Sequence, residues 1–167
     1  MKKIIIVFVV LFVANLGCKK LSKSDGGLCA CSPVTYPGFA LVIKNAANLD
    51  LLNPANKGAY VLSQIKLFQK DDKGVEKQVV FAIRPTFSYG SEKFNYYQLY
   101  SEEIGLLARK SQQSFYLKLA DGTPYELNLE FKDGIYKVQK LLIDKKEAPA
   151  ETGELAKYDT SIFYLNL

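Results

Sequence analysis

Between Tyr125 and Phe131 polar and apolar side chains alternate without a break, Tyr-Glu-Leu-Asn-Leu-Glu-Phe, and Asp133-Gly134 follows closely. A period of two places Tyr125, Leu127, Leu129 and Phe131 on one face of a strand, a sorting that a 3.6-residue helix cannot achieve. Asp-Gly predicts a two-residue type I′ turn. That turn would pair Phe131 with Tyr136, Leu129 with Val138, and Glu130 with Lys137. One step further Leu127 would face Lys140, so a bulge or the end of pairing is expected there. Upstream, a loop of Ala120, Asp121 and Gly122, with Gly122 left-handed, aligns Leu117 with Tyr125 and Phe115 with Leu127. A shorter loop would set Leu117 against Glu126, and a one-residue slip sends every side chain to the wrong face. The pattern predicts a three-stranded antiparallel meander over 113–143.

Further strands are expected at 39–43, 61–70, 76–84, 94–100 and 158–166. Eleven tyrosines and ten phenylalanines, with no tryptophan, suit strands and supply apolar area for a core. Glu102 to Lys110 is the one stretch that could form a helical turn, and Gly105 weakens it. Lys145 to Glu154 reads as a charged, exposed loop. The expected fold class is all-β, an antiparallel β-sandwich of about 7–8 strands forming a single domain over 38–167.

The chain begins with Lys2 and Lys3, an apolar run from Ile4 to Ala14, and Gly17 directly before Cys18. This order is that of a bacterial export signal. Its apolar run falls short of the roughly 20 residues a membrane-spanning helix needs. The stretch resembles a bacterial lipoprotein signal, in which residues 1–17 are removed and Cys18 becomes the lipid attachment site. Asn15 stands where such signals usually carry Leu, Val or Ile. Residues 18–37, rich in Ser and Gly, read as a flexible lipid-anchored tether. With Cys18-Lys19-Lys20, and Leu51-Leu52-Asn53-Pro54 between the first two strands, the chain resembles small Bacteroidetes-type lipoproteins. That resemblance implies an immunoglobulin-like or prealbumin-like sandwich and a place in the cell envelope. The outer membrane is the expected anchor, with the domain facing periplasm or surface. It implies no activity.

Without residues 1–17 the chain carries 20 basic and 17 acidic side chains, a net of +3, and the two signs alternate along it. No nucleic-acid partner is expected from such a surface. Histidine is absent, which removes the Ser-His-Asp triad, the Cys-His pair and imidazole-bound metal. No cofactor and no metal site is expected. Asn45, Asn48, Asp50, Asn53 and Asn56 crowd the first loop, but a calcium site usually takes several carboxylates and this loop has one. Their expected use is to satisfy loop backbone. Cys29 and Cys31 are candidates for a local disulfide or remain thiols, since extended residues two apart sit about 7 Å from each other, at the limit of bridging. Glu102 and Glu103 would point to opposite faces of a strand, whereas a glycosidase needs carboxyls facing each other about 5–9.5 Å apart.

The most distinctive stretch is aromatic. Phe87, Tyr89, Phe94, Tyr96, Tyr97 and Tyr100 fall close together. Alternation puts Phe94, Tyr96 and Tyr100 on one face, and Tyr97 with Leu99 on the other. Phe87, Tyr89, Tyr96, Tyr97 and Tyr100 form the candidate binding surface. No catalytic residue is assigned. The expected function is that of a lipid-anchored, non-enzymatic envelope module that binds a protein or glycan partner. The alternative is a small carboxylate-dependent envelope hydrolase.

Overall fold

The computed structural model describes residues 38–111, 113–131, 137–157 and 161–167, with the side chain of Tyr89 left aside. The chain is mostly β. A four-stranded sheet runs in the order β12 (Ser161–Asn166), β1 (Phe39–Lys44), β7 (Gln98–Ser101), β4 (Ala82–Arg84). A six-stranded sheet runs β11 (Lys146–Glu147), β10 (Val138–Ile143), β9 (Tyr125–Phe131), β8 (Phe115–Leu119), β2 (Ile65–Lys70), β3 (Glu76–Gln78). A small hairpin joins β5 (Phe87–Tyr89) to β6 (Glu92–Phe94) through Gly90, whose φ of 59° suits the turn.

Alternation explains the core. Phe39, Leu41 and Ile43 of β1, Leu99 of β7, and Phe163 and Leu165 of β12 join one apolar cluster. Leu67, Phe115, Leu117, Leu127 and Leu141 of the six-stranded sheet enter the same cluster. Helix α1 (Glu103–Lys110) forms despite Gly105, because tertiary contacts outweigh propensity. Ile104 is fully buried, Leu107 and Ala108 pack on the core, and the hydroxyl of Ser101, one residue before the N-cap Glu102, accepts the Ile104 N–H at 3.2 Å.

The expected register of β8 against β9 is found: Leu117 opposite Tyr125, Phe115 opposite Leu127. The turn differs. Ala120, with φ of 47°, takes the left-handed conformation. Gly122 serves close approach instead, since a Cβ there would lie 3.1 Å from the Leu119 carbonyl oxygen.

The β9–β10 register is a second correction. Val138 faces Phe131, not Leu129, and Glu130 faces Lys140, not Lys137. The pairing shifts between Val138 and Lys140, which sets Leu141 opposite Leu129 and Ile143 opposite Leu127. The irregularity thus removes the Leu127–Lys140 mismatch that a straight ladder would carry. Asp133 and Gly134 lie outside the described residues.

Three further expectations are corrected. The strands are shorter and number twelve among the described residues. They are not all antiparallel, since β1 and β12 pair in parallel with Ala40 opposite Ile162 and Val42 opposite Tyr164. The expected strand 76–84 divides between the two sheets, with β3 at the edge of one and β4 at the edge of the other.

Candidate binding site

The face of the four-stranded sheet turned away from the principal core carries a second cluster. Ala40, Val42 and Ile162 lie there with Phe94 and Leu155, and Tyr96, Tyr100 and Tyr164 pack against them. The rings form a chain. Phe87 and Phe94 have centroids 5.4 Å apart, Phe94 and Tyr96 5.8 Å, and Tyr96 and Tyr164 6.2 Å, the last two edge to face. These are the spacings that aromatic pairs prefer.

Two cations cover ring faces. The Lys44 ammonium lies 4.6 Å from the Tyr164 centroid and 5.0 Å from that of Tyr96. The Arg84 guanidinium carbon stands 3.1 Å from the Tyr100 centroid. Two carboxylates complete the set. The Tyr164 hydroxyl donates to Glu151, and the Tyr100 hydroxyl donates to Glu102 at 3.0 Å. Burial and then the bond to Glu151 push the Tyr164 hydroxyl well above its usual range. The same two causes, with Glu102 as partner, raise Tyr100. The bond from Tyr164 holds Glu151 below the ordinary carboxylate range, against an opposing effect of burial.

Beyond Tyr100 this face is open. A surface groove of about 360 Å³ is lined by Val80, Ala82, Tyr100, Glu102 and Glu103. Glu103 accepts the Val80 N–H, and Glu102 lies 4.0 Å from the Arg84 guanidinium. The two acids therefore sit at the start of α1, not on opposite faces of a strand, and each already has a donor beside it.

Of the residues read from sequence as a binding surface, Phe87, Tyr96 and Tyr100 share this outer face. Tyr97 does not: it packs against the principal core, and Asp50 captures its backbone N–H at 2.7 Å. The side chain of Tyr89 and residues Cys18, Cys29 and Cys31 lie outside the described part. The first-loop Asx residues do satisfy backbone: Asn45 Oδ1 accepts from Ala47 and Leu49, Asn53 Oδ1 from Ala55, and Asp50 from Leu52 and Tyr97. Sequence reasoning missed Lys44, Arg84, Glu151 and Tyr164. Their meeting depends on which strands are neighbours, and the parallel placement of β12 beside β1 has no local signal.

Among the described residues no helix is long and apolar enough to cross a membrane, and no group of three or more acidic or cysteine side chains is placed to hold a metal. Compared with protein-family models, curated proteins and solved structures, the chain finds no match.

Proposed function

We propose that the chain is a lipid-anchored protein of the cell envelope, held to the outer membrane through Cys18, and that it acts as a non-enzymatic binding or accessory module for a protein or glycan partner. One observation carries this reading. The outer face of the four-stranded sheet combines aromatic rings, cations and carboxylates, and at its Tyr100 end it borders an open groove whose acids are engaged by neighbours. Aromatic and arginine side chains with polar tips are the groups that interfaces favour. The shared apolar cluster supports reading the two larger sheets as layers of a sandwich, of the immunoglobulin-like or prealbumin-like kind suggested by the resemblance to small Bacteroidetes-type lipoproteins. The hydrolase alternative has less support. Glu102 and Glu103 both line the groove, yet one serves Tyr100 and Arg84 and the other serves the Val80 N–H.

The test is photocrosslinking in intact envelopes. A photoreactive amino acid at Phe87, the exposed ring at the end of the aromatic chain, is irradiated and its adducts are identified by mass spectrometry. A reproducible protein or glycan adduct is expected. Recovery of none, with the protein present at its normal level, overturns the reading.

A further inference from the structure

The two edges of the four-stranded sheet are treated differently. At the β12 edge the chain folds back on itself: the Tyr164 N–H donates to the Pro149 carbonyl at 2.9 Å, and the Glu151 N–H donates to the Ile162 carbonyl at 2.9 Å. At the other edge, no strand among the described residues pairs with the far side of β4. Yet the sequence there is Val79-Val80-Phe81-Ala82-Ile83, an unbroken apolar run. Its alternate residues Val79, Phe81 and Ile83 face the principal core. Val80 is 74% exposed and Ala82 is exposed as well. A free edge of this composition is one that natural proteins normally blunt, or keep for pairing with another chain.

The free stretch has defined limits. Before Phe81 the chain is held, with the Val79 N–H given to the Leu67 carbonyl at 2.8 Å and the Val80 backbone tied to Glu103 and Ser101 on the β7 side. Past Arg84 comes Pro85, which has no N–H to give. Room remains for a short added strand along 81–84. The groove lies on the outer side of this same edge. Its lining includes Val80, Ala82 and Tyr100, with parts of Phe81 and Ser101, and its two ionic groups, Glu102 and Glu103, are both acidic. Arg84, stacked on Tyr100, approaches Glu102 alone, which leaves a surplus negative charge at the rim. Apolar walls with an acidic rim suit a side chain with an aliphatic stem and a cationic head.

We propose that the edge of β4 receives an extended peptide segment of a partner protein, paired in the manner of an added strand, with a lysine or arginine side chain laid in the groove against Glu102 and Glu103. The inference rests on the binding-module reading and names its partner class.

The test uses the full chain, ¹⁵N-labelled and solubilised in a mild detergent, titrated with a blocked Thr-Val-Lys-Val-Thr peptide. Two control peptides carry glutamate in place of lysine, or N-methyl groups on alternate amides. With the lysine peptide, saturable amide shift changes are expected at residues 81–84 and 100–103. Glutamate, N-methylation or the Glu102→Gln variant should each weaken binding by about tenfold, the factor that a loss of about 1.4 kcal/mol gives. No saturable change up to about 5 mM peptide, weaker than ordinary millimolar recognition, overturns the proposal. So does an equal response to the lysine and glutamate peptides, or indifference to N-methylation. A response confined to Phe87, Tyr96 and Tyr164 overturns it too, but leaves the binding module standing, as does a crosslink at Phe87 without peptide binding here.

Discussion

The Asp50 carboxylate accepts the backbone N–H of Tyr97 at 2.7 Å, joining the first loop to the entrance of β7. Its other oxygen accepts the Leu52 N–H at 2.9 Å, and the residue is only 5% exposed. A carboxylate, with acceptors only, suits two converging donors. Asp50→Ala leaves both N–H groups unpaired and should cost about 3 kcal/mol, since each buried orphan costs about 1–3 kcal/mol. Asp50→Asn, which turns an amide donor toward one of them, should cost about half as much. Urea denaturation measures both, and a loss below about 0.5 kcal/mol for Asp50→Ala, the scale of a surface change, would show the clasp to be dispensable.

Leu99 and Val80 mark the two sides of the sheet. Leu99 is fully buried in the principal cluster, whereas Val80 is 74% exposed. Leu99→Ala should lower stability by about 2–5 kcal/mol through lost transfer energy and an unfilled cavity. Val80→Ser should stay within about 0.5 kcal/mol. Comparable losses in thermal or urea unfolding would mean that Val80 is packed and that the groove is no open surface.

The turn between β8 and β9 offers a test in both directions. Ala120 holds φ at 47°, a conformation that costs a residue with a Cβ about 1–2 kcal/mol. Ala120→Gly relieves this but gives the unfolded chain more freedom, worth about 0.5–1 kcal/mol. A net gain of about 0.5 kcal/mol is expected. Gly122→Ala should destabilise by about 1 kcal/mol, because its Cβ would meet the Leu119 carbonyl at 3.1 Å and the two backbones must part. If both variants weaken the protein equally, the assignment of roles within the turn is wrong.

The same turn illustrates what a sequence can convey. Alternation from Tyr125 to Phe131 was enough to identify the strand and its register against β8, because only one register buries Phe115 and Leu117. It could not say which turn residue goes left-handed, since register fixes the loop length and leaves its backbone path open. Alternation also separated Tyr97 from Tyr96 and Tyr100, which the structure places on opposite sides of the sheet. The break in 76–84 was not legible. Val79, Phe81 and Ile83 keep the alternation while the chain passes from one sheet to the other. Lys44 and Tyr164 meet because β1 and β12, distant in sequence, lie side by side. Periodicity reports faces, not neighbours.

Cys18 carries the anchoring proposal, and it is the first of the three cysteines in the sequence. Cys18→Ser should abolish incorporation of labelled fatty acid and shift the protein from the membrane to the soluble envelope fraction, or leave the signal uncleaved. Acyl chains supply about 0.8 kcal/mol per buried CH₂, and two or more chains make anchoring stable. Unchanged labelling and fractionation would place the lipid elsewhere or dispense with it.

The Tyr164–Glu151 pair should make stability depend on pH at both extremes. Glu151 is held below the ordinary carboxylate value, chiefly by the bond from Tyr164, so the folded state favours its charged form. Its contribution is fully present above the unfolded value, about 4.3, and is lost as pH falls through the lower folded value. Tyr164 is raised above 10.0, by burial first and then by Glu151, so the folded state favours the neutral hydroxyl. That contribution is present below about pH 10 and fades as pH rises beyond it. Tyr164→Phe removes the donor and the titrating group together. Near neutral pH it should cost about 1.5 kcal/mol, as loss of a hydrogen bond to a charged group does. The gap between the two proteins should narrow at acid and alkaline ends, read as urea midpoints from about pH 3 to pH 11, a range that brackets both ordinary values. A gap constant across that range would mean that the hydroxyl contributes packing alone and that Glu151 owes its depressed value to Lys44 and the backbone N–H groups of Thr152 and Gly153.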